Sequence, residues 1–189
     1  MTKQELRNIY KQKRLAISPI DKLKADDFLL IRFQQLFFDA IQVLLTYWPL
    51  EEMAEPNTIL FSRYLSHTLP GLQIAYPVTN FEANYIKAIA INEDTVFTTG
   101  FKNLTEPKDG ILISPEAIDL VFVPMIICNK KGYRVGYGKG FYDRFLSQCR
   151  SDIIKIGFSY FEPVEKIDDL HAFDVPLNYC ITPENIYEF

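Results

Sequence analysis

The stretch GYRVGYGKGFYD at residues 132–143 concentrates residue types that bind phosphate groups. It holds four of the eight glycines in the 189-residue chain. Glycine permits positive φ and lets an anion approach the backbone amides closely, and Arg134 and Lys139 can add charge-assisted hydrogen bonds. The spacing therefore predicts a cradle for a triphosphate. The alternative is a tight glycine-rich turn that binds no ligand.

Neither common glycine-rich nucleotide motif fits this stretch. The pattern GxxxxGK[ST] fails because Gly140 follows Lys139 at the place where Ser or Thr would ligate a metal. The pattern GxGxxG fails because the last three glycines stand at 136, 138 and 140. The phosphate-binding interpretation thus depends on residue types and position, and on no known motif.

Asp143 follows the last glycine, in the first turn of a predicted helix. A carboxylate there can hold Mg²⁺ against phosphates, or it can simply complement the helix dipole. Tyr133, Tyr137, Phe141 and Tyr142 are its aromatic neighbours in the chain. Such residues often belong to a core, but a planar heterocycle needs walls of this kind.

The rest of the composition narrows the chemistry. His67 and His171 are the only histidines, and the three cysteines are far apart, so no Ser-His-Asp or Cys-His arrangement, disulfide framework or zinc site is indicated. Any metal should be a hard cation held by oxygen, Mg²⁺ before Ca²⁺. Phosphoryl transfer is favoured, because positioning and electrostatics can catalyse it without a protein nucleophile.

Charge and hydropathy exclude several classes of protein. A formal net charge of −4 argues against a general nucleic-acid binder. No run of 18 apolar residues occurs and the start is polar, so we expect no membrane partner and a cytoplasmic location. Residues 1–24 nevertheless carry seven of the twenty Lys and Arg residues, which indicates a solvated helix face or a local anion site.

The hydrophobic pattern predicts strands that alternate with helices. A Thr2–Glu5 capping box begins a helix to about Ile17, and Ser18-Pro19 begins another that extends to Ala40. Further helices are predicted at 57–68 and about 140–149, strands at 41–48, 72–78, 84–91 (outer and antiparallel), 119–127, 153–159 and 175–182, and turns over 96–116. We expect a single α/β domain over residues 1–189, with three α/β/α layers and a mainly parallel central sheet to which one or two antiparallel strands are added. Ligands of such sheets bind at the carboxyl ends of strands, and the loop at 128–140 lies there.

Four segments resemble, in order, the 5-formyltetrahydrofolate cyclo-ligase (methenyltetrahydrofolate synthetase) family. The glycine stretch, preceded by VFVPMIIC at 121–128, is similar to the family's most specific motif. KQELR at 3–7 resembles its N-terminal helix, YWPLEEMAEP at 47–56 its folate loop, and DVPLNYCITPE at 174–184 its closing segment. The resemblance covers the chain from Lys3 to about Glu184. Phe141 departs from it, because the family usually has Tyr there.

The resemblance implies ATP- and Mg²⁺-dependent conversion of 5-formyltetrahydrofolate into 5,10-methenyltetrahydrofolate, with release of ADP and phosphate. It implies that Arg134 and Lys139 stabilise charge during transfer and that Asp143 and Asp174 hold Mg²⁺. The nucleotide-binding residues it implies are Lys3, Gln4, Glu5, Leu6, Arg7, Arg134, Val135, Gly136, Tyr137, Gly138, Lys139, Gly140, Phe141 and Tyr142. The folate-binding residues it implies are Tyr47, Glu52, Tyr137, Gly138, Lys139, Gly140 and Phe141.

Two other functions stay open at this point. One is a non-catalytic nucleotide- or folate-binding module, which would have no need of the metal-positioning acids. The other is an enzyme of sugar phosphates or thioesters on a related sheet, which would need a catalytic Glu, Lys or His beside the site. The expected partners are small molecules only, and the expected assembly is a monomer.

Overall fold

The computed structural model describes residues 1–38 and 40–189. Within these ranges, the α-helices are α1 (Lys3–Leu15), α2 (Pro19–Phe33), α3 (Thr58–Thr68) and α4 (Phe141–Leu146). The first two helices begin as their sequences predict. Thr2 and Glu5 form the capping box of α1, and the Ser18 side chain accepts from the Asp21 amide ahead of Pro19 at the start of α2.

Within the described residues, eight strands form the main sheet, in the order β12-β11-β10-β7-β1-β2-β3-β6. The strands are β1 (Val43–Leu45), β2 (Gln73–Asn80), β3 (Tyr85–Ala90), β4 (Phe97–Thr99), β5 (Thr105–Pro107), β6 (Ile111–Ile113), β7 (Leu120–Phe122), β8 (Ile127–Cys128), β9 (Arg134–Val135), β10 (Ile154–Phe158), β11 (Tyr179–Ile181) and β12 (Ile186–Glu188). Strands β11, β10, β7, β1 and β2 pair in parallel, whereas β3, β6 and β12 pair antiparallel. Strands β4–β5 and β8–β9 form separate two-stranded ribbons.

Alternate residues of the central strands serve two different cores, because side chains point to opposite faces of a sheet. Leu44 packs with the apolar side of α2 and α3, including Phe33 and Phe61. Leu45, the next residue, packs with Phe145 of α4 on the opposite face. Fully burying a side chain of this size stabilises the fold by about 1.5–3 kcal/mol. The predicted α/β class with three layers is therefore confirmed.

Several predicted boundaries are wrong. Helix α2 ends at Phe33 instead of continuing to Ala40, and the last part of that prediction includes Asp39, which lies outside the described residues. The predicted strand 119–127 divides at Pro124, so that β7 belongs to the main sheet and β8 pairs with β9. The predicted turn region 96–116 contains β4, β5 and β6. Among the described residues, three strands of the main sheet pair antiparallel, whereas the sequence predicted one or two.

The strand order reverses between β1 and β7. From β1 the chain crosses through α3 to β2 on one side, and it later returns to β7 on the other. The carboxyl ends of two parallel strands that diverge in this way form a crevice, where α/β proteins bind ligands. A ligand site is therefore expected at the segments that follow β1 and β7. No helix in the described part of the chain is long and apolar enough to span a bilayer.

Candidate active site

The glycine loop leaves strand β9 and leads into helix α4. Gly138 has φ +89° and Gly140 has φ +67°, the left-handed backbone region in which a side chain is strained. A Cβ atom at Gly138 would lie 3.3 Å from the guanidinium of Arg7, so a side chain there would displace Arg7 by a few tenths of an ångström as well as strain the backbone. The backbone around Gly138 and the Lys139 side chain face solvent.

Helix α1 lies against this loop. Leu6 is fully buried and packs on Ile127 and Val135 of the β8–β9 ribbon. This contact brings Arg7 to the loop, where its Nε donates to the Gly136 carbonyl at 2.9 Å. Gln4 accepts from Arg7 at 2.6 Å. Of the α1 residues expected at the site, Glu5 is occupied elsewhere, in the capping box.

Two carboxylates, Asp143 and Asp174, are held near the loop by hydrogen bonds. Asp143 accepts from Arg134 at 3.0 Å and from the Val175 amide at 3.1 Å. Arg134 also donates to the Val175 carbonyl at 2.6 Å, and Asp174 accepts from Lys3 at 2.6 Å. The chain segment at Asp174–Val175 is thus tied both to the loop and to helix α1.

The electrostatics of these groups differ. Burial would raise the pKa of Asp174, but the His171 amide and the Lys3 ammonium hold it below its ordinary value. Burial lowers the pKa of Arg134, and the Asp143 charge opposes that shift. Arg134 therefore lies under the loop as an internal tie, with only 5% of its side chain exposed, whereas Lys139 is the exposed cation of the loop.

Asp143 and Asp174 can accommodate Mg²⁺. Among the described residues, no three or more His, Cys, Asp or Glu side chains are arranged as a ready metal cage. Mg²⁺ in nucleotide sites is commonly held by one or two carboxylates together with substrate phosphates, so a complete cage is not required. The Asp143 side chain is 28% exposed beside the loop, which leaves it accessible to a cation that arrives with a nucleotide.

A buried carboxylate, not expected from the sequence, lies at the crevice. Glu55 is 3% exposed and accepts from the Leu50 amide at 2.7 Å and from the Tyr137 hydroxyl of the glycine loop. Buried Arg14 donates to the same hydroxyl at 2.7 Å and to the Met125 carbonyl, after β7, at 3.1 Å. The loop after β1 therefore meets the glycine loop at one hydroxyl group, and Arg14 connects that group to the segment after β7.

Burial dominates the titration of this cluster. It raises the pKa of Glu55 above its ordinary value, although the Leu50 and Tyr137 hydrogen bonds and the charge of Arg14 oppose the shift. Burial and the Glu55 charge raise the pKa values of Tyr47 and Tyr137 well above those of exposed phenols. Perturbed groups gathered in a crevice are typical of functional sites.

Glu52, the acid that the resemblance implies would face the folate, does not belong to the cluster around Tyr137. It is exposed on a 3-10 turn (Glu51–Met53) and accepts from Asn103 at 2.6 Å. Glu55, three residues later, is the acid that faces Tyr137 beside buried Tyr47. In the structure, the Thr58 that begins α3 donates to the Tyr47 carbonyl at 2.6 Å, which folds the loop inward and carries Glu55 with it. No local sequence pattern distinguishes Glu55 from Glu52.

Phe141, directly after the glycine loop, has aromatic neighbours. It packs edge-on against Phe81 at a centroid distance of 5.5 Å, and Phe81 packs likewise on Phe101. The buried hydroxyls of Tyr142 and Thr46 have no partner among residues 1–38 and 40–189. Buried hydroxyls are normally paired, so these two are exceptions within that part of the chain.

These features define an α/β protein with an exposed glycine loop and a buried acid at the switch point of its sheet. A family model described as the 5-formyltetrahydrofolate cyclo-ligase family matches residues 1–183. The chain belongs to that family. The predicted resemblance is confirmed.

Individual relatives match this chain over nearly its full length. It is 30% identical over 187 residues to the 5-formyltetrahydrofolate cyclo-ligase of Mycoplasma pneumoniae, covering 97% of this chain and 100% of the relative. The structure of a 5,10-methenyltetrahydrofolate synthetase from Aquifex aeolicus superposes with a TM-score of 0.81 at 26% identity, covering 100% of this chain and 93% of that one. That of a 5,10-methenyltetrahydrofolate synthetase from Mycoplasma pneumoniae gives 0.75 at 27% identity, covering 97% and 100%.

The buried tie at Arg134 yields a stability prediction. Arg134→Met should lower the free energy of unfolding by about 2–4 kcal/mol, because Asp143 and the Val175 carbonyl lose their donor; the loss stays below that of a fully enclosed pair since Asp143 is partly exposed. Lys139→Met removes the same charge from an exposed position and should change stability by less than about 0.5 kcal/mol. Urea denaturation measures both, and equal small effects would contradict the structural role given to Arg134.

Proposed function

We propose that this chain catalyses the ATP- and Mg²⁺-dependent cyclisation of 5-formyltetrahydrofolate to 5,10-methenyltetrahydrofolate, with release of ADP and phosphate. One observation carries the proposal. Tyr137 belongs to the glycine loop, yet its hydroxyl donates to the buried acid Glu55 at the sheet crevice. A phosphate-binding loop and a group suited to a pterin therefore adjoin one another, as transfer of a phosphoryl group to a bound folate requires.

The chemistry explains why a cyclisation would consume ATP. The formyl oxygen is an amide oxygen and a poor leaving group. Transfer of the γ-phosphoryl group to that oxygen converts it into a good one. N10 then attacks the activated carbon and loses its proton, the five-membered ring closes, and the former formyl oxygen departs in inorganic phosphate. Such a reaction needs positioned charges more than a protein nucleophile.

On the folate side we propose Glu55, with Tyr47 beside it, as the group that binds the pterin ring. An ionised carboxylate has about four acceptor positions, and Glu55 uses one for Leu50 and one for Tyr137. The remaining positions suit the adjacent amino and ring N–H donors of a pterin, and bonds of this kind are charge-assisted. The buried geometry supports Glu55 over exposed Glu52, and Phe141 would border the formyl group.

On the nucleotide side we propose that the backbone from Arg134 to Tyr142 surrounds the phosphates. Lys139 is exposed on the loop and is the proposed charge-stabilising residue of the transfer. Arg7 and Lys3 would approach from helix α1. Both Nη atoms of Arg134 are engaged by Asp143 and Val175, so we propose that Arg134 acts by holding the loop and Asp143 in place.

We propose that Asp143 and Asp174 hold Mg²⁺, as the sequence predicted. When bound, the cation would neutralise phosphate charge that develops during transfer. To ligate the metal, Asp174 must give up part of its hydrogen bonding to Lys3. Asp143 can keep its hydrogen bond from Arg134 on one oxygen and ligate the metal with the other. A cytoplasmic location, a monomeric state and small molecules as the only partners stay predictions from the sequence.

A direct assay tests the proposal. The chain is incubated with 5-formyltetrahydrofolate and MgATP while the ultraviolet absorbance of the methenyl product and the release of ADP are followed. We expect the methenyl product and ADP to form in equal amounts. Neither product should form when 5-formyltetrahydrofolate or ATP is left out. Binding of both ligands without folate-dependent ADP release would instead identify a non-catalytic binding module.

Asp143→Asn tests the proposed metal site. Loss of this charge should lower turnover by about 100-fold or more and raise the Mg²⁺ concentration needed for half-maximal rate. Asp152→Asn makes the same change at a carboxylate that is 74% exposed and should leave both quantities unchanged. A near-normal rate for Asp143→Asn would remove that residue from the metal site.

A matched pair of substitutions distinguishes the two acids of the folate loop. Glu55→Gln should reduce kcat/KM for the folate by about 100-fold, because charge-assisted hydrogen bonds are worth about 1.5–3 kcal/mol each, while ATP affinity stays within about threefold. Glu52→Gln should have less than a twofold effect. Steady-state kinetics with each substrate varied gives kcat/KM for the folate and the affinity for ATP. A larger loss in Glu52→Gln than in Glu55→Gln would assign the pterin contact to Glu52.

A further inference from the structure

Arg14 is a buried cation that the proposed reaction does not yet use. It lies near the end of helix α1 and is 2% exposed, unlike its neighbour Lys13. Its Nη atoms reach the Tyr137 hydroxyl at 2.7 Å and the Met125 carbonyl at 3.1 Å, and its Nε has no acceptor within the described part of the chain. Burying an arginine with incomplete hydrogen bonding costs several kcal/mol, so helix packing alone does not explain it.

The types of the three groups fix the direction of their hydrogen bonds. A guanidinium can only donate, so the Tyr137 hydroxyl must accept from Arg14. Its single proton is then directed to Glu55, which must accept. An ionised carboxylate is an acceptor on both oxygens, whereas a protonated one competes to donate. The arrangement Arg14–Tyr137–Glu55 therefore favours the charged form of Glu55.

The other groups around Glu55 cannot replace this charge. Lys22 of α2 is the second cation that acts on Glu55, but it forms an ion pair with Asp26 at 2.8 Å. The remaining titratable neighbours are phenols: Tyr47 after β1, Tyr142 of α4, Tyr137 of the loop and Tyr160, which donates to the Glu55 carbonyl at 3.3 Å and to Asp26 at 2.7 Å. Arg14 is therefore the cation that balances Glu55 among the described residues.

We propose that Arg14 is a positioning residue of the folate site: it holds the Tyr137 hydroxyl as a donor to Glu55 and so keeps Glu55 ionised to accept from the pterin. The inference rests on the proposed function and assigns to it a residue that never contacts the substrate. Without the cation, one of the effects that oppose burial is lost, so Glu55 takes up a proton at higher pH. Folate binding should then fail at the acid end of the pH range first.

The test compares Arg14→Gln, which keeps a donor but loses the charge, with Arg14→Lys, which keeps the charge. Lys13→Gln makes the same charge change one residue away on the exposed face. For Arg14→Gln the acid limb of kcat/KM for the folate should move up by about one pH unit or more. The defect should disappear at high pH, while kcat and the KM for ATP stay within about threefold. Arg14→Lys and Lys13→Gln should keep the wild-type profile.

A readout without turnover separates this inference from the proposed function. In protein labelled with ¹³C-glutamate, the Glu55 carboxyl resonance is assigned by its loss in Glu55→Gln and titrated by NMR. Arg14→Gln should raise that pKa by about one unit or more. An unmoved Glu55 pKa, or an activity loss of the same factor at every pH, overturns the role of Arg14. Absence of turnover in the wild-type chain overturns the proposed function instead, and the titration still decides whether Arg14 controls Glu55.

Discussion

One hydroxyl group joins the parts of this site. The Tyr137 side chain reaches from the glycine loop to Glu55, 82 residues earlier, and accepts from Arg14, 123 residues earlier. Each of these groups is buried and polar, so each depends on the others to avoid an unsatisfied hydrogen bond inside the protein. The position of the loop relative to the crevice of the sheet follows from this mutual dependence.

The surrounding structure supports that contact and leaves the loop tip free. Helix α1 packs on the β8–β9 ribbon through Leu6, and Arg134 ties the base of the loop to Val175. Gly138 and Lys139 stay exposed between these two supports. A loop with a fixed base and an open tip can receive phosphates without rebuilding the site, which is the form of preorganisation that phosphoryl transfer requires.

The fold and the glycine loop could be predicted from local patterns. The Thr2 capping box, the buried apolar strands and the glycine spacing are short-range signals, and each is present in the structure. The division of residues 119–127 could also have been predicted, since Pro124 interrupts that run and proline is rare inside central strands. The helix predicted to reach Ala40 is too long because Leu36 and Phe37 continue the apolar pattern after α2 has ended at Phe33.

The burial of Glu55 and of Arg14 could not be predicted from local patterns. Glu51, Glu52 and Glu55 all stand in one irregular loop, where no periodicity distinguishes a buried side chain from exposed ones. Arg14 likewise follows Lys11 and Lys13 in a run of cations, and only the packing of α1 on the loop buries it. Which charge lies inside is decided by contacts over 80 residues or more along the chain, and these are absent from any local pattern.

The central claim is that Glu55 and Tyr137 act as one unit, and a double-mutant cycle measures this directly. The kcat/KM for 5-formyltetrahydrofolate at saturating MgATP is compared for wild type, Glu55→Gln, Tyr137→Phe and the double variant. We predict a coupling free energy of about 1–3 kcal/mol, so that the double variant is little worse than Glu55→Gln alone. Losses that simply add, to within about 0.5 kcal/mol, would contradict the account.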